Sequence, residues 1–370
     1  MGDEQKLYAD EFLEEKLNER RADGSLRRLR LPEGKMDFCS NDYLGIVTNG
    51  LLATHKLPHG SMGSRLLAGN YLLAEQTEHA VADFHQAEAG LLFNSGYDAN
   101  LGVLSCIPKR GDTILYDQLS HASIRDGIRL SFAQSFAFAH NDSADLERRL
   151  RPARAGAASR TFVVTESVFS MDGDLAPLET ILELCHRYKA HLILDEAHAT
   201  GVIGQSGEGL AQELGVQGRC LARIHTFGKA VGCHGAIVMG SERLRQFLVN
   251  FCRPLIYTTA LPPAAVQAVA DAYRLFPSMH SERRRLQYLI DRFHGATIGY
   301  KRLNSRTPIQ VVMVPGNAAA RDLADRLQQA GMDVRPILYP TVPRGGERLR
   351  IVIHAFNKEE EIDQLTALLR

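Results

Sequence analysis

Between residues 90 and 240 short apolar, β-prone runs alternate with longer stretches in which apolar positions recur every three or four residues. "GLLFNSG", "DTILYD", "RTFVVTES", "AHLILDEAH", "RIHTFGKA" and "GAIVMGS" read as strands. "LAPLETILELCHRYK" between two of them is amphipathic, with Leu175, Leu178, Ile181, Leu182 and Leu184 as its apolar positions. Such alternation predicts an α/β layer on a mostly parallel sheet. Upstream, "DEFLEEKLNERR" sets Phe12, Leu13 and Leu17 on one face of a helix. Downstream, "PPAAVQAVADAYRLF" reads as a helix leaving the layer, and "PIQVVMV" and "RLRIVIHAF" frame a smaller α+β region. The closing helix, in "NKEEEIDQLTALLR", is expected to begin with Asn357 as N-cap and Glu360 three residues on, as in a capping box. The expected organisation is a helical segment over 1–38, a large α/β domain over 39–265 and a small α+β domain over 266–370.

Composition narrows the class. The chain has 370 residues, 45% of them hydrophobic, with 43 basic against 43 acidic side chains. That length supports a large core, and the balance of charge gives no reason to expect nucleic acid or an acidic membrane as partner. The six cysteines are scattered without a CxxC, which points to a reduced, cytoplasmic protein. No apolar run approaches the roughly 18 residues of a membrane span. The start, "MGDEQKLYAD", is too polar for a signal peptide and has Lys6 where myristoylation wants serine or threonine.

Candidate chemistry collects after the strands. Asp195 ends the run "LILD", and open α/β sheets bind ligands beyond the carboxyl ends of their strands; the alternative is an aspartate that caps the next turn. His198 follows three residues later. In "HTFGKAVGCHGA", Lys229 stands among small residues that leave room for a flat ring. A desolvated lysine is a nucleophile toward carbonyls; the alternative is a lysine reaching solvent. A lysine and an aspartate on neighbouring strand ends are what pyridoxal phosphate (PLP) requires, one for its aldehyde and one for its ring nitrogen. "FNSGYDAN" places Gly96 and Tyr97 at the start of a helix, where backbone N–H groups can meet a phosphate, or simply make a turn. His121 follows "TILYD" and Ser170 sits in the turn "SMDGD". Neither "GSMGSR" nor "GVIGQSGEG" has dinucleotide spacing. In "HKLPH" the proline spoils the helix that would align His55 and His59, so no metal is expected.

Taken in order, "FCSNDYLG", "GSMGSRLLAGN", "LFNSGYDAN", "DQLSHASIRDG", "TESVFSMDGDLAPL", "LDEAHATGVIG", "HTFGKAVGCHGA", "LIYTTALPP" and "PTVPRGGERLRI" resemble the α-oxoamine synthases, PLP enzymes of fold type I, from about residue 17 to the C-terminus. The resemblance implies a large domain with a mostly parallel central sheet, a smaller C-terminal α+β domain and a homodimer with shared active sites. It implies that Lys229 carries the cofactor, Asp195 faces the ring nitrogen, His198 the ring hydroxyl and His121 the ring face. Gly96, Tyr97, Ser170 and Thr226 would surround the phosphate, with Tyr257 nearby and Thr258 reaching the partner's phosphate. Arg350 and Asn41 would take the amino-acid carboxylate, and Arg27 and Thr341 the acyl substrate. The substrates implied are L-alanine and a pimeloyl thioester on CoA or acyl carrier protein, a step of biotin synthesis; glycine with acetyl-CoA is the competing pair. Met62, where the family commonly has glycine, and "IVIHAFNKEE" after Arg350 depart from the family pattern close to substrate positions.

Overall fold

The computed structural model describes residues 10, 12–29, 31, 34–153 and 159–370; the polar start before residue 10 lies outside the described residues. Its strands are β1 (Met36–Asp37), β2 (Ala89–Phe93), β3 (Thr113–Asp117), β4 (Gln134–Phe138), β5 (Thr161–Glu166), β6 (His191–Asp195), β7 (Ala222–Thr226), β8 (Ala236–Gly240), β9 (Ile309–Met313), β10 (Met332–Asp333), β11 (Arg335–Ile337) and β12 (Arg348–Val352). The central sheet has seven strands in the order β2-β8-β7-β6-β5-β3-β4. All neighbours are parallel except the two pairings made by β8. β5 and β7 are buried at every residue, as expected where helices cover both faces of a parallel sheet. β9, β11 and β12 form a separate antiparallel sheet.

The mostly parallel α/β layer and the smaller α+β unit agree with the sequence reading. So do the strands of the central sheet, with one addition. β4 lies at the sheet edge with its first three residues exposed, and an edge strand needs no continuous apolar run to announce it. Four further expectations change. Leu175 lies outside helix Leu178–Tyr188, is 42% exposed and bridges Val168, because the turn through Gly173 delays the helix. Helix Phe12–Ala22 forms, yet it buries none of its residues, Phe12, Leu13 and Leu17 included. The last helix starts one residue late: Glu361, not Glu360, accepts from the Lys358 backbone N–H at 3.1 Å. Asn357 instead receives the His354 N–H at 2.8 Å and reaches the Asp37 carbonyl at 3.2 Å. Finally, the line between residues 265 and 266 cuts helix Pro263–Leu275, whose i to i−4 bonds run across it.

The stretch after β1 laces the two units together. β1 pairs with β10, Val352 donates its N–H to the Phe38 carbonyl and Ala355 donates to the Tyr43 carbonyl, both at 2.9 Å. Phe38, Tyr43, Leu44 and Ile46 bury fully in a core shared with β12 and the last helix. That packing holds "SNDY" between the C-terminal sheet and the ends of β5 and β6. All six cysteines are free, and among the described residues no helix is long and apolar enough to cross a membrane.

Candidate active site

The carboxyl ends of β5 and β6 and the loop after β7 converge on one cavity of about 190 Å³. Asp195 is the last residue of β6 and 6% exposed. Asn100 Nδ2 donates to its Oδ2 at 2.6 Å and the Ala197 N–H to its Oδ1 at 2.8 Å. Asn100 comes from helix Gly96–Cys106, whose N-cap Ser95 accepts the Asp98 N–H. Gly96 is required there: a Cβ would stand 2.3 Å from Thr226 Cγ2. The first turn of that helix therefore sits directly on the end of β7.

Lys229 follows β7 in a tight loop closed by Cys233 N–H to the Phe227 carbonyl at 2.7 Å and Phe227 N–H to the Gly235 carbonyl at 2.9 Å. The loop explains two of the glycines differently from the expectation of room for a ring. Gly232 (φ 68°) and Gly235 (φ 108°) take left-handed backbone that side chains disfavour. Gly228 and Gly235 also line the cavity. Burial lowers the Lys229 ammonium below its ordinary pKa and Arg350 adds to this, while Asp195 and Glu166 pull it back up.

Glu166 was not singled out in the sequence. It ends β5 in direct register with Asp195 and accepts the His121 backbone N–H at 2.7 Å. Burial first, and the Asp195 charge second, push its carboxyl up to about 8. Asn100, Ser123 and Tyr43 likewise give no sign of their role in sequence, although they lie within "FNSGYDAN", "DQLSHASIRDG" and "FCSNDYLG"; only contact shows what they do. Ser123 Oγ lies 3.1 Å from Asn100 Nδ2 and 2.8 Å from His121 Nδ1. Tyr43 Oη lies 2.7 Å from His198 Nδ1. His198 is buried, and burial, with Lys229, Arg350 and His121 around it, holds it well below the ordinary imidazole value.

The remaining expected residues divide into groups. Gly96, Tyr97, His121, Asp195, His198, Thr226 and Lys229 all line the cavity. Arg350 stands beside it, donating through Nε to the Ser170 carbonyl at 2.8 Å and through Nη2 to Asn41 Oδ1 at 3.1 Å. Tyr97 turns its hydroxyl to Asp126. Tyr257 is 73% exposed under the Arg253 guanidinium and is not in the cavity lining. Thr258 touches the site only through Asn94 Nδ2, at 3.2 Å from its Oγ1. Arg27 Nη2 and Thr341 Oγ1 meet at 3.1 Å in a separate groove shared with Arg20, Arg28, Arg321 and Arg335. Arg335 is the cross-strand partner of Arg350, so that groove abuts the cavity through two neighbouring strands.

The loop that supplies Ser170 is braced by an ion cluster. His140 Nδ1 donates to Asp117 at 2.9 Å, its Nε2 donates to Asp174 at 2.8 Å, and its ring stands edge-on to Phe169. Burial opposes the charge, but the two carboxylates outweigh it and push His140 up to about 10. This folded value lies above the ordinary 6.5. The cluster therefore stabilises fully below about 6.5 and its contribution is lost as pH rises through about 10. His140→Gln is expected to cost about 2 kcal/mol at neutral pH. Thermal melts from pH 6 to 11 check it; the gap to the wild type should close above pH 10.

The cavity also fits PLP. Asn100 Oδ1 and Thr226 Oγ1 are buried without a hydrogen-bond partner, at the two places where a ring and a phosphate would need polar neighbours. The start of helix Gly96–Cys106 presents free N–H groups next to Thr226.

The chain as a whole is similar to known proteins. The family profile described as "Aminotransferase class I and II" matches residues 33–369. An 8-amino-7-oxononanoate synthase of Emericella nidulans is 40% identical over 395 aligned positions, covering 99% of this chain and 96% of that protein. Serine palmitoyltransferase from S. paucimobilis, solved with bound PLP and myriocin, superposes with a TM-score of 0.87 at 28% identity, covering 99% of this chain and 97% of that one. The 8-amino-7-oxononanoate synthase of Francisella tularensis superposes at 0.74 and 29% identity, covering 91% and 97%.

Proposed function

This chain belongs to the aminotransferase class I and II family, and from that premise we propose that it is a PLP-dependent acyltransferase that condenses L-alanine with a pimeloyl thioester. The products are 8-amino-7-oxononanoate, carbon dioxide and the free thiol carrier, in biotin biosynthesis. The observation that carries this is the meeting of Lys229 and Asp195 in one cavity, in a chain similar end to end to 8-amino-7-oxononanoate synthases.

When bound, PLP supplies an aldehyde for attachment and an electron sink for the α-carbon. Lys229, its charge weakened by burial, holds the cofactor and later takes the α-proton of alanine as general base. Asp195, fixed by Asn100 and the Ala197 N–H, would present its carboxylate to the ring nitrogen and keep it protonated. His198 would face the ring hydroxyl and His121 the ring face, both from the cavity lining. Thr226 and the helix start at Gly96 and Tyr97 would receive the phosphate, while Ser170, whose carbonyl accepts from Arg350, and Tyr257 stand outside the cavity lining. Arg350, with Asn41, grips the alanine carboxylate through parallel hydrogen bonds. Arg27 and Thr341 take the far end of the acyl chain. The deprotonated α-carbon attacks the thioester carbonyl, the C–S bond breaks to release thiol, the carboxylate leaves as carbon dioxide and the α-carbon regains a proton.

The active form is a homodimer. Met62, Leu67, Phe251 and Tyr257 are exposed apolar residues. They belong to or flank two joined segments: Ser61 Oγ meets the Ala260 carbonyl at 2.8 Å and Ala260 N–H the Gly63 carbonyl at 3.0 Å. An apolar surface of this kind favours a partner, and Thr258 would then reach the partner's cofactor phosphate. The free thiols suit a cytoplasmic location. The test of function is thiol release by cofactor-loaded protein. L-alanine with pimeloyl-CoA is expected to be turned over and glycine with acetyl-CoA is not; the reverse would move the chain to a glycine C-acetyltransferase.

A further inference from the structure

His198 has a second neighbour that the reaction as described does not use. Its Nδ1 lies 2.7 Å from Tyr43 Oη, Tyr43 Oη lies 3.0 Å from Asn41 Oδ1, and Asn41 Oδ1 accepts from Arg350 Nη2 at 3.1 Å. Tyr43 is 0% exposed and His198 6%, so no water competes at the middle of this chain. The four side chains run from the small unit, through the lacing stretch, to the turn after β6.

Counting protons gives the chain two states. The phenol has one proton to give, because burial pushes its pKa up to about 12. His198 is neutral, with Lys229, Arg350 and His121 disfavouring its charge and burial disfavouring it more. In one state Tyr43 donates to His198 Nδ1, so the imidazole proton sits on Nε2 and faces the cavity as a donor. In the other Tyr43 donates to Asn41 Oδ1 and accepts from Nδ1–H, and Nε2 faces the cavity as a bare acceptor. Arg350 decides between them. While its guanidinium pulls on Asn41 Oδ1, that oxygen is a poorer acceptor for the phenol, and the first state prevails. A carboxylate that draws Arg350 away restores the oxygen, and the second state gains.

We propose that Tyr43 is a positioning residue that sets the tautomer of His198, and that the relay Arg350–Asn41–Tyr43–His198 reports an amino-acid carboxylate to the proton at the cofactor's ring oxygen. This rests on the functional reading above. It gives Tyr43 a role that packing alone would not. Substrate arrival and the protonation of the cofactor are coupled through the protein as well as through space.

The test uses the holoenzyme and propionate, which is alanine without its amine and cannot displace Lys229. The pH titration of the lysine-linked cofactor's absorbance is recorded with and without saturating propionate. Lys229, His198, Asp195 and Glu166 face that chromophore, with Arg350 and His121 beyond them, and all remain in place in Tyr43→Phe. The wild type is expected to show an apparent pKa shift of about half a unit or more on adding propionate, and Tyr43→Phe to lose most of it. Asn41→Ala breaks the chain at another link and should lose it too, with no further loss in the double variant. The Asn41 variant keeps the question open to test if Tyr43→Phe folds poorly. An unchanged propionate shift in either variant overturns the relay, as does a wild type that binds propionate without a shift. A lower melting temperature with the shift intact would reduce Tyr43 to packing and overturn it as well. Absence of any lysine-linked absorbance in the wild type would overturn the functional reading, and the relay with it.

Discussion

Lys229→Ala is expected to abolish turnover, with thiol release falling by roughly ten-thousandfold or more. Two functions leave with one amine: covalent attachment of the cofactor, and proton transfer at the α-carbon, which alone is worth about a hundredfold to ten-thousandfold. The backbone gives the variant a fair chance to fold. The loop is held by main-chain bonds from Phe227, Gly232 and Cys233 and by the left-handed glycines, none of which uses the lysine side chain. What changes is the charge in the cavity. Asp195 and Glu166 lose their nearest ammonium, and Glu166, already pushed up to about 8, should hold its proton more firmly still. Borohydride reduction followed by mass spectrometry gives a readout apart from activity: cofactor should become fixed to the wild type at residue 229 and not to the variant. Turnover within tenfold of the wild type would sink the assignment.

The second large effect is expected at Asp195. Asp195→Asn keeps the volume but removes the charge, and an amide cannot accept from Asn100, from the Ala197 N–H and from a ring N–H all at once. Breaking a buried charge interaction costs roughly 3–5 kcal/mol, which in a barrier is about a hundredfold to several-thousandfold in rate. A simple loss of stability would not produce the accompanying signature. Asp195 is the second cause, after burial, of the high pKa at Glu166; without it that carboxyl should ionise at lower pH, and the limb of the pH–rate profile that reports it should move the same way. Steady-state rates across pH, with melting temperatures as a fold control, check both. A fall in kcat/KM of less than about threefold at neutral pH would be incompatible with the role given to Asp195.

The Glu166–Asp195 pair shows where sequence reading stops. Asp195 was legible because a single strand announces its own end, and ligands gather there. Glu166 ends an equally clear strand, but only the parallel register of β5 against β6 sets it opposite Asp195. Asn100 illustrates the same limit from a helix. It lies within "FNSGYDAN", yet nothing local says that one turn of helix brings its amide 2.6 Å from a carboxylate 95 residues on. His140 lies in no recognisable motif. Its importance comes from two carboxylates on separate strands and turns, and a lone histidine between a strand and a helix carries no sign of them.

By itself, then, the sequence determined the alternation of strands and helices, the mostly parallel layer, the run of small residues around Lys229 and the chemical identity of the groups at the strand ends. These are local matters: hydrophobic periodicity, propensity and glycine conformation act over a few residues and survive without the rest of the chain. Tertiary structure alone decided that Leu175 stays exposed, that Asn357 serves Asp37 and His354 rather than capping a helix, and that Arg27 and Thr341 meet in a groove apart from Lys229. It also decided that Tyr43 touches His198. Asn357 with Asp37, Arg27 with Thr341 and Tyr43 with His198 are contacts between segments more than a hundred residues apart, fixed by how the two units pack, and even the turn that exposes Leu175 is set by a bridge to Val168 that periodicity does not announce.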